Sequence, residues 1–131
     1  MSSGVEIKPA NIENYPFNAY ITYKKAYYPR GIWCAGSIIS ERHILTTAHC
    51  FHNVLPSDFT VHTGTTSTES RGQTHQVKNI FNNQNYQPRY IDGELISYSN
   101  DIAIVEVFFN LNIGITFTPL SIEDVLNLIS F

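Results

Sequence analysis

Apolar and polar positions along the chain fall into short alternating runs separated by turn residues. Residues 1–14 are polar and read as an extended arm. Tyr15-Pro16-Phe17 opens the ordered part, and Ala19–Tyr23 is a first strand. Lys24–Arg30 reads as a hairpin loop. Ile32–Ile39 reads as a second strand, with Gly36 where backbone approaches closely. Ser40-Glu41-Arg42-His43 is a tight turn before a short strand, Ile44–Thr47. Ala48–Phe51 reads as a single helical turn, and Pro56 ends any helix there. Phe59–Thr63 alternates as a half-buried strand does, Gly64–Gly72 is a polar hairpin region, and Gln76–Phe81 is a further strand. Asn82–Asn100 reads as a long, wet loop. Ile102–Phe109 is the clearest buried strand, and Val125–Ile129 either starts a helix or frays. Six or so short strands with so little helix between them predict an all-β fold, a small closed antiparallel barrel.

Composition narrows the function classes. Of 131 residues, 43% are apolar and 13% aromatic, enough for one domain with a modest core. The formal net charge is −3, which gives no footprint for a phosphate backbone. Tyr20, Tyr23, Tyr27, Tyr28 and Trp33 have few basic residues among them, so nucleic-acid binding is set aside. No apolar run reaches membrane-spanning length, and Met1–Pro9 lacks the apolar stretch of a secretory signal. His49 and His52 are three apart, and His43, His62 and His75 add to the count, but no His-Glu-x-x-His frame is present. No metal and no cofactor is expected.

Two places carry candidate chemistry. Thr46-Thr47-Ala48-His49-Cys50 puts a histidine at the end of a strand, and Asn100-Asp101-Ile102-Ala103-Ile104 puts a carboxylate at the mouth of the most apolar strand. Beside an imidazole, Asp101 accepts the proton of one ring nitrogen and leaves the other free to take a proton from a hydroxyl. The plainer alternative makes His49 a hydrogen-bonded core histidine and Asp101 a cap. Cys34 and Cys50 are either a disulfide or two buried thiols.

These residues resemble the chymotrypsin-like serine proteases. Trp33-Cys34-Ala35-Gly36-Ser37-Ile38-Ile39 is similar to the motif preceding the family's catalytic histidine. Leu45-Thr46-Thr47-Ala48-His49-Cys50 is similar to the histidine motif and Asn100-Asp101-Ile102-Ala103-Ile104 to the aspartate motif. Tyr15-Pro16-Phe17 resembles the opening strand. Val77–Phe81 with Tyr86 resembles the strand and aromatic before the aspartate loop. The matches run in the family's order over about residues 10–120. The resemblance implies that the barrel is the first of two. It makes His49 the general base and then acid, and Asp101 its orienting carboxylate. It also implies a Cys34–Cys50 disulfide bracing the histidine turn, peptide or protein substrates in a complete form, and a secreted or extracellular home.

Three departures shape the expectations. Gly4-Val5-Glu6-Ile7 stands where the family carries its activation sequence, so that mechanism is in doubt. The segment Pro88–Ser99 is longer than typical and is expected to lie beside the cleft. No Gly-Asp-Ser-Gly occurs in the 131 residues, and Ser37, Ser40, Ser97 and Ser99 lie in unsuitable settings. The expected organisation is an arm over 1–14, the barrel over 15–121, and the start of a linker or a frayed tail over 122–131. The chain alone is expected to be inactive, a serine-type endopeptidase only in its complete form. The rival expectation is a non-catalytic homologue that binds a partner protein. Phe117, Pro119, Leu120, Val125, Leu126, Leu128, Ile129 and Phe131 are candidates for an exposed apolar seam that a partner covers.

Overall fold

The computed structural model describes residues 15–26, 31–65 and 72–130. The expected N-terminal arm, Tyr27, Tyr28 and Phe131 lie outside them. Among the described residues eight strands form: β1 Asn18–Tyr23, β2 Cys34–Ile38, β3 His43–Thr46, β4 Phe59–Thr63, β5 Gln73–Asn82, β6 Gln87–Ile91, β7 Glu94–Ser99 and β8 Ala103–Val107. Six of them close a barrel in the order β1-β2-β3-β8-β5-β4, while β6 and β7 pair separately. Every pairing is antiparallel. The small closed antiparallel barrel expected from the alternating runs is therefore present.

Period-two alternation fills the interior. Ala19 and Ile21 of β1, Phe59 and Val61 of β4, and Ala103, Val105 and Val107 of β8 share one buried cluster with Ile38, Ile44, Val77 and Phe51. Gly36 shows how tightly β2 meets β3. A Cβ there would lie 2.6 Å from Ile44 Cγ2 and 2.7 Å from the Leu45 carbonyl oxygen, so only a residue without one fits. On β5 the register slips between Val77 and Asn79 opposite β8, a bulge that helps bend the sheet closed.

Ile104 explains why the first part of β8, Ala103-Ile104-Val105, is continuously apolar. It points out of the barrel yet is fully buried, in a second cluster with Val125 and Ile129 of the helix α1, Ile122–Ile129. Ile39, Leu45, Phe81 and Leu120 pack around it. A strand covered on both faces loses its polar alternation. Beyond the strand, Phe108 and Phe109 are exposed, so the expected run to Phe109 ends at Val107.

The segment expected to be a linker or a frayed tail is ordered by a capping box. Ser121 Oγ accepts from the Asp124 backbone N–H at 3.1 Å, and Asp124 Oδ2 accepts from the Ser121 N–H at 3.1 Å. Glu123 and Asp124 in the first turn also favour the helix dipole. Burying Val125 and Ile129 contributes about 2 kcal/mol each. The expected apolar seam is corrected accordingly. Val125 and Ile129 cover the barrel's own wall, and Phe117 packs on the core, whereas Leu126 and Leu128 are exposed.

A second correction concerns Asn82–Asn100. It is not an irregular loop: β6 and β7 make a hairpin there, turning at Asp92-Gly93 with φ of 52° and 81°. Positive φ at both central residues is the tight-turn geometry that Asp-Gly favours.

Polar groups inside the wall are paired. His43 Nδ1 lies 2.6 Å from Ser40 Oγ, and its Nε2 lies 3.5 Å from Glu106. His62 Nε2 meets Thr22 Oγ1 and His75 Nε2 meets Thr63 Oγ1, both at 2.8 Å. Burial lowers the pKa of His43, with Glu106 opposing and Arg42 adding to the effect. Burial, and then the nearby His62, lowers that of His75.

Two outcomes follow. Gly36→Ala is expected to cost about 2 kcal/mol of stability, read from the denaturant midpoint; an unchanged midpoint would contradict the close approach. His43 and His75 bind protons less readily folded than unfolded, where the value is about 6.5. Their contribution is complete above that pH and is lost as pH falls through the lower folded values. The melting temperature should drop on acidification, and His75→Gln should flatten the drop. A melting temperature constant across that window would contradict it.

Candidate active site

Strands β3 and β8 are neighbours, with Thr46 opposite Ala103. Their adjoining ends therefore place a residue just after β3 beside one just before β8, although 52 positions separate them in sequence. After β3 the chain enters a 3₁₀ turn, Ala48–Phe51, whose buried Ala48, Cys50 and Phe51 leave His49 as its exposed member. Before β8, Asn100 takes a left-handed φ of 54°, a conformation that asparagine tolerates well. Its side-chain amide donates to the Asn85 carbonyl at 3.1 Å, and its own carbonyl accepts from the Ile102 N–H at 2.9 Å. That kink projects Asp101 toward the turn.

Asp101 is bonded twice to one residue. Oδ2 lies 2.7 Å from His49 Nδ1, and Oδ1 accepts from the His49 backbone N–H at 2.7 Å. An ionised carboxylate has only acceptors, so Nδ1 carries the proton and Nε2 of a neutral ring keeps its lone pair. The side chains differ in exposure, 39% for His49 against 19% for Asp101. The imidazole thus reaches solvent while its partner is sheltered. This pair can hold a tautomer and accept a proton from a hydroxyl brought to Nε2.

Cys34 and Cys50 are joined in a disulfide, with Cα atoms 6.4 Å apart. The bond ties the start of β2 to the histidine turn. Closing a loop of 16 residues contributes roughly 3 kcal/mol in the chain-entropy account. Trp33 Nε1 donates to the Cys50 carbonyl at 2.6 Å, a second clamp on the same turn.

Tyr98 was not among the expected site residues. Its ring stacks on His49, centroids 4.7 Å apart and planes within 10°. Tyr86 stacks in turn on Tyr98 at 6.0 Å. Desolvation raises the Tyr86 pKa, as do the nearby Asp101 carboxylate, Tyr98 and Tyr90. The Asp-Gly turn held the signal for Tyr98, because a hairpin there returns β7 to the Asp101 end of the barrel.

The remaining candidates do not join the pair. His43, His62 and His75 sit in the barrel wall, and His52 is exposed on the turn after His49. Ser40 is buried with its hydroxyl on His43, and Ser97 and Ser99 lie on β7. Among the described residues, Cys34, His49 and Cys50 alone bring three metal-ligating side chains together, within 4.8 Å of one another. Their sulfurs are committed to each other in the disulfide.

An antiparallel barrel with a histidine turn, braced by a disulfide and bonded to an aspartate at the mouth of a neighbouring strand, defines a chymotrypsin-like barrel. The Trypsin family profile matches residues 5–127, and the chain belongs to that family. It is 32% identical over 92 residues to trypsin epsilon of Drosophila erecta, covering 70% of this chain and 33% of that protein. It is 32% identical over 84 residues to trypsin Blo t 3 of Blomia tropicalis, covering 64% and 29%. Among solved structures, the Vibrio cholerae VesB protease superposes with a TM-score of 0.62 at 26% identity, covering 87% of this chain and 33% of that one. The chain spans about a third of the length of these relatives.

Proposed function

We propose that this chain supplies the histidine and aspartate of a serine endopeptidase active site. His49 is the general base that takes the proton of a serine hydroxyl and then, as general acid, returns it to the leaving amine. Asp101 fixes the tautomer and stabilises the imidazolium between those steps. The observation that carries this reading is the double bond of contacts from one carboxylate to His49, at 2.7 Å to the ring and 2.7 Å to the backbone. A histidine serving only the core would not leave its side chain 39% exposed.

The 131 residues hold no Gly-Asp-Ser-Gly, so the nucleophile and the donors for the oxyanion belong to a second barrel. Substrates of the complete form are proteins or peptides. The β6–β7 hairpin, reaching His49 through Tyr98, borders the same surface. The disulfide supports an extracellular or vesicle-lumen setting, since such bonds rarely persist in cytosol. Among the described residues no helix is long and apolar enough to cross a membrane.

The chain by itself is expected to show no turnover of peptide ester or amide substrates and no labelling by a serine-directed phosphonate. Joined to a second barrel carrying Gly-Asp-Ser-Gly, it should gain both. His49→Ala should then lower kcat/KM by on the order of a thousandfold or more. Turnover by the isolated chain that vanishes in His49→Ala would contradict this account. A folded two-barrel form that stays silent would favour the non-catalytic, partner-binding homologue instead.

A further inference from the structure

We propose that Tyr98 is a positioning residue for His49: its ring fixes the plane of the imidazole and screens the proton held between His49 and Asp101 from water. Given the function proposed above, Tyr98 acts through His49 and itself exchanges no proton. One hydrogen bond leaves a histidine ring some freedom. The contact from Nδ1 to Asp101 Oδ2, 2.7 Å long, lies along the ring's edge and sets where Nδ1 points. It resists tilting of the ring about that bond only weakly, because an acceptor oxygen tolerates a broad range of directions. Such a tilt swings Nε2, the atom that meets a hydroxyl, and small misplacements of a base cost rate. Tyr98 removes this freedom from the perpendicular direction. Its centroid lies 4.7 Å from that of His49 with planes 10° apart, so tilting toward that side runs into the phenol ring.

Edge and face contacts come from one short stretch of chain. Tyr98 on β7 shortly precedes Asp101, and the left-handed Asn100, with φ of 54°, lies between them. That kink lets both side chains reach the same imidazole. The stretch is buttressed from behind. Asn100 Nδ2 donates to the Asn85 carbonyl at 3.1 Å, and Tyr86, next in the chain, stacks on Tyr98 with centroids 6.0 Å apart. Asn83 ties that turn down, its Oδ1 accepting from the Asn85 N–H at 2.7 Å and its carbonyl from the Tyr86 N–H at 3.1 Å. Tyr98 itself is 38% exposed and belongs to neither buried cluster, so the barrel does not depend on it for its core.

The stack also favours charge on the ring. When His49 takes a proton it becomes a cation lying against an aromatic face, within the separation at which cation–π attraction operates. Asp101 stabilises the same cation from its edge. A residue that merely anchored the hairpin would do neither: its loss would move β6 and β7 and leave the imidazole as it was.

Proton and nitrogen-15 NMR of the isolated chain reads the imidazole directly. The stacked phenol should shift the carbon-bound ring protons of His49 upfield of those of His52. Tyr98→Leu should abolish that upfield shift and speed exchange of the Nδ1 proton with water several-fold. Tyr98→Phe keeps a ring in place and should restore both. Tyr90→Leu, nearer the turn of the same hairpin and 60% exposed in the wild type, should change neither. In a form joined to a second barrel, Tyr98→Leu should lower kcat about fivefold, with recovery in Tyr98→Phe. A neutral wild-type His49 without a proton on Nδ1 would overturn this proposal together with the reading beneath it. A protonated Nδ1 whose exchange and ring-proton shifts stay the same in Tyr98→Leu would overturn this proposal alone. So would a rise in KM with kcat unchanged, which would make Tyr98 a wall for substrate and nothing more.

Discussion

The arrangement depends on one carboxylate bonded twice to one residue. Asp101 takes the ring N–H of His49 with one oxygen and its backbone N–H with the other. The backbone contact fixes where the turn after β3 sits relative to β8. The ring contact fixes which nitrogen of the imidazole faces out. A histidine on a solvent-exposed turn would otherwise sample several rotamers and both tautomers. Much of the surrounding structure keeps these two bonds in register. Neighbouring β3 and β8 bring the ends together, Asn100 kinks the chain to aim the carboxylate, and the disulfide and Trp33 hold the turn from the far side.

The barrel beneath is built so that β8 is the most protected strand. Its inward residues fill the core, and Ile104 on its outer face is covered by Val125 and Ile129 of α1. The carboxylate at its mouth therefore stands on a strand covered on both faces, while the histidine opposite stands on a short exposed turn. That asymmetry suits a pair in which one member orients and the other exchanges a proton.

Much of this was legible in the sequence. Apolar and polar residues alternating along Phe59–Thr63 marked β4 with both ends right, although His62 on its other face is buried as well. The resemblance joined His49 to Asp101 and Cys34 to Cys50, which periodicity alone left open. The misses have physical causes. Asn82–Asn100 read as loop because β6 and β7 bury almost nothing, so no apolar alternation marks them. The Asp92-Gly93 turn was the available signal. At Val125–Ile129 the apolar spacing was visible, but what settles the helix is the Ser121–Asp124 capping box, with Asp in place of the commoner Glu. Tyr98 could not be assigned to His49 without the hairpin that carries it back.

The central claim is that the chain holds His49 in one tautomer, with Nδ1–H given to Asp101. Nitrogen-15 NMR of the histidine side chains in the isolated chain tests it most directly. The account predicts that His49, with its ring neutral, is protonated at Nδ1, with a low-field proton resonance that exchanges with water more slowly than that of the exposed His52 and disappears in Asp101→Ala. A His49 ring protonated at Nε2, or one whose Nδ1 proton exchanges as fast as that of His52, would contradict it.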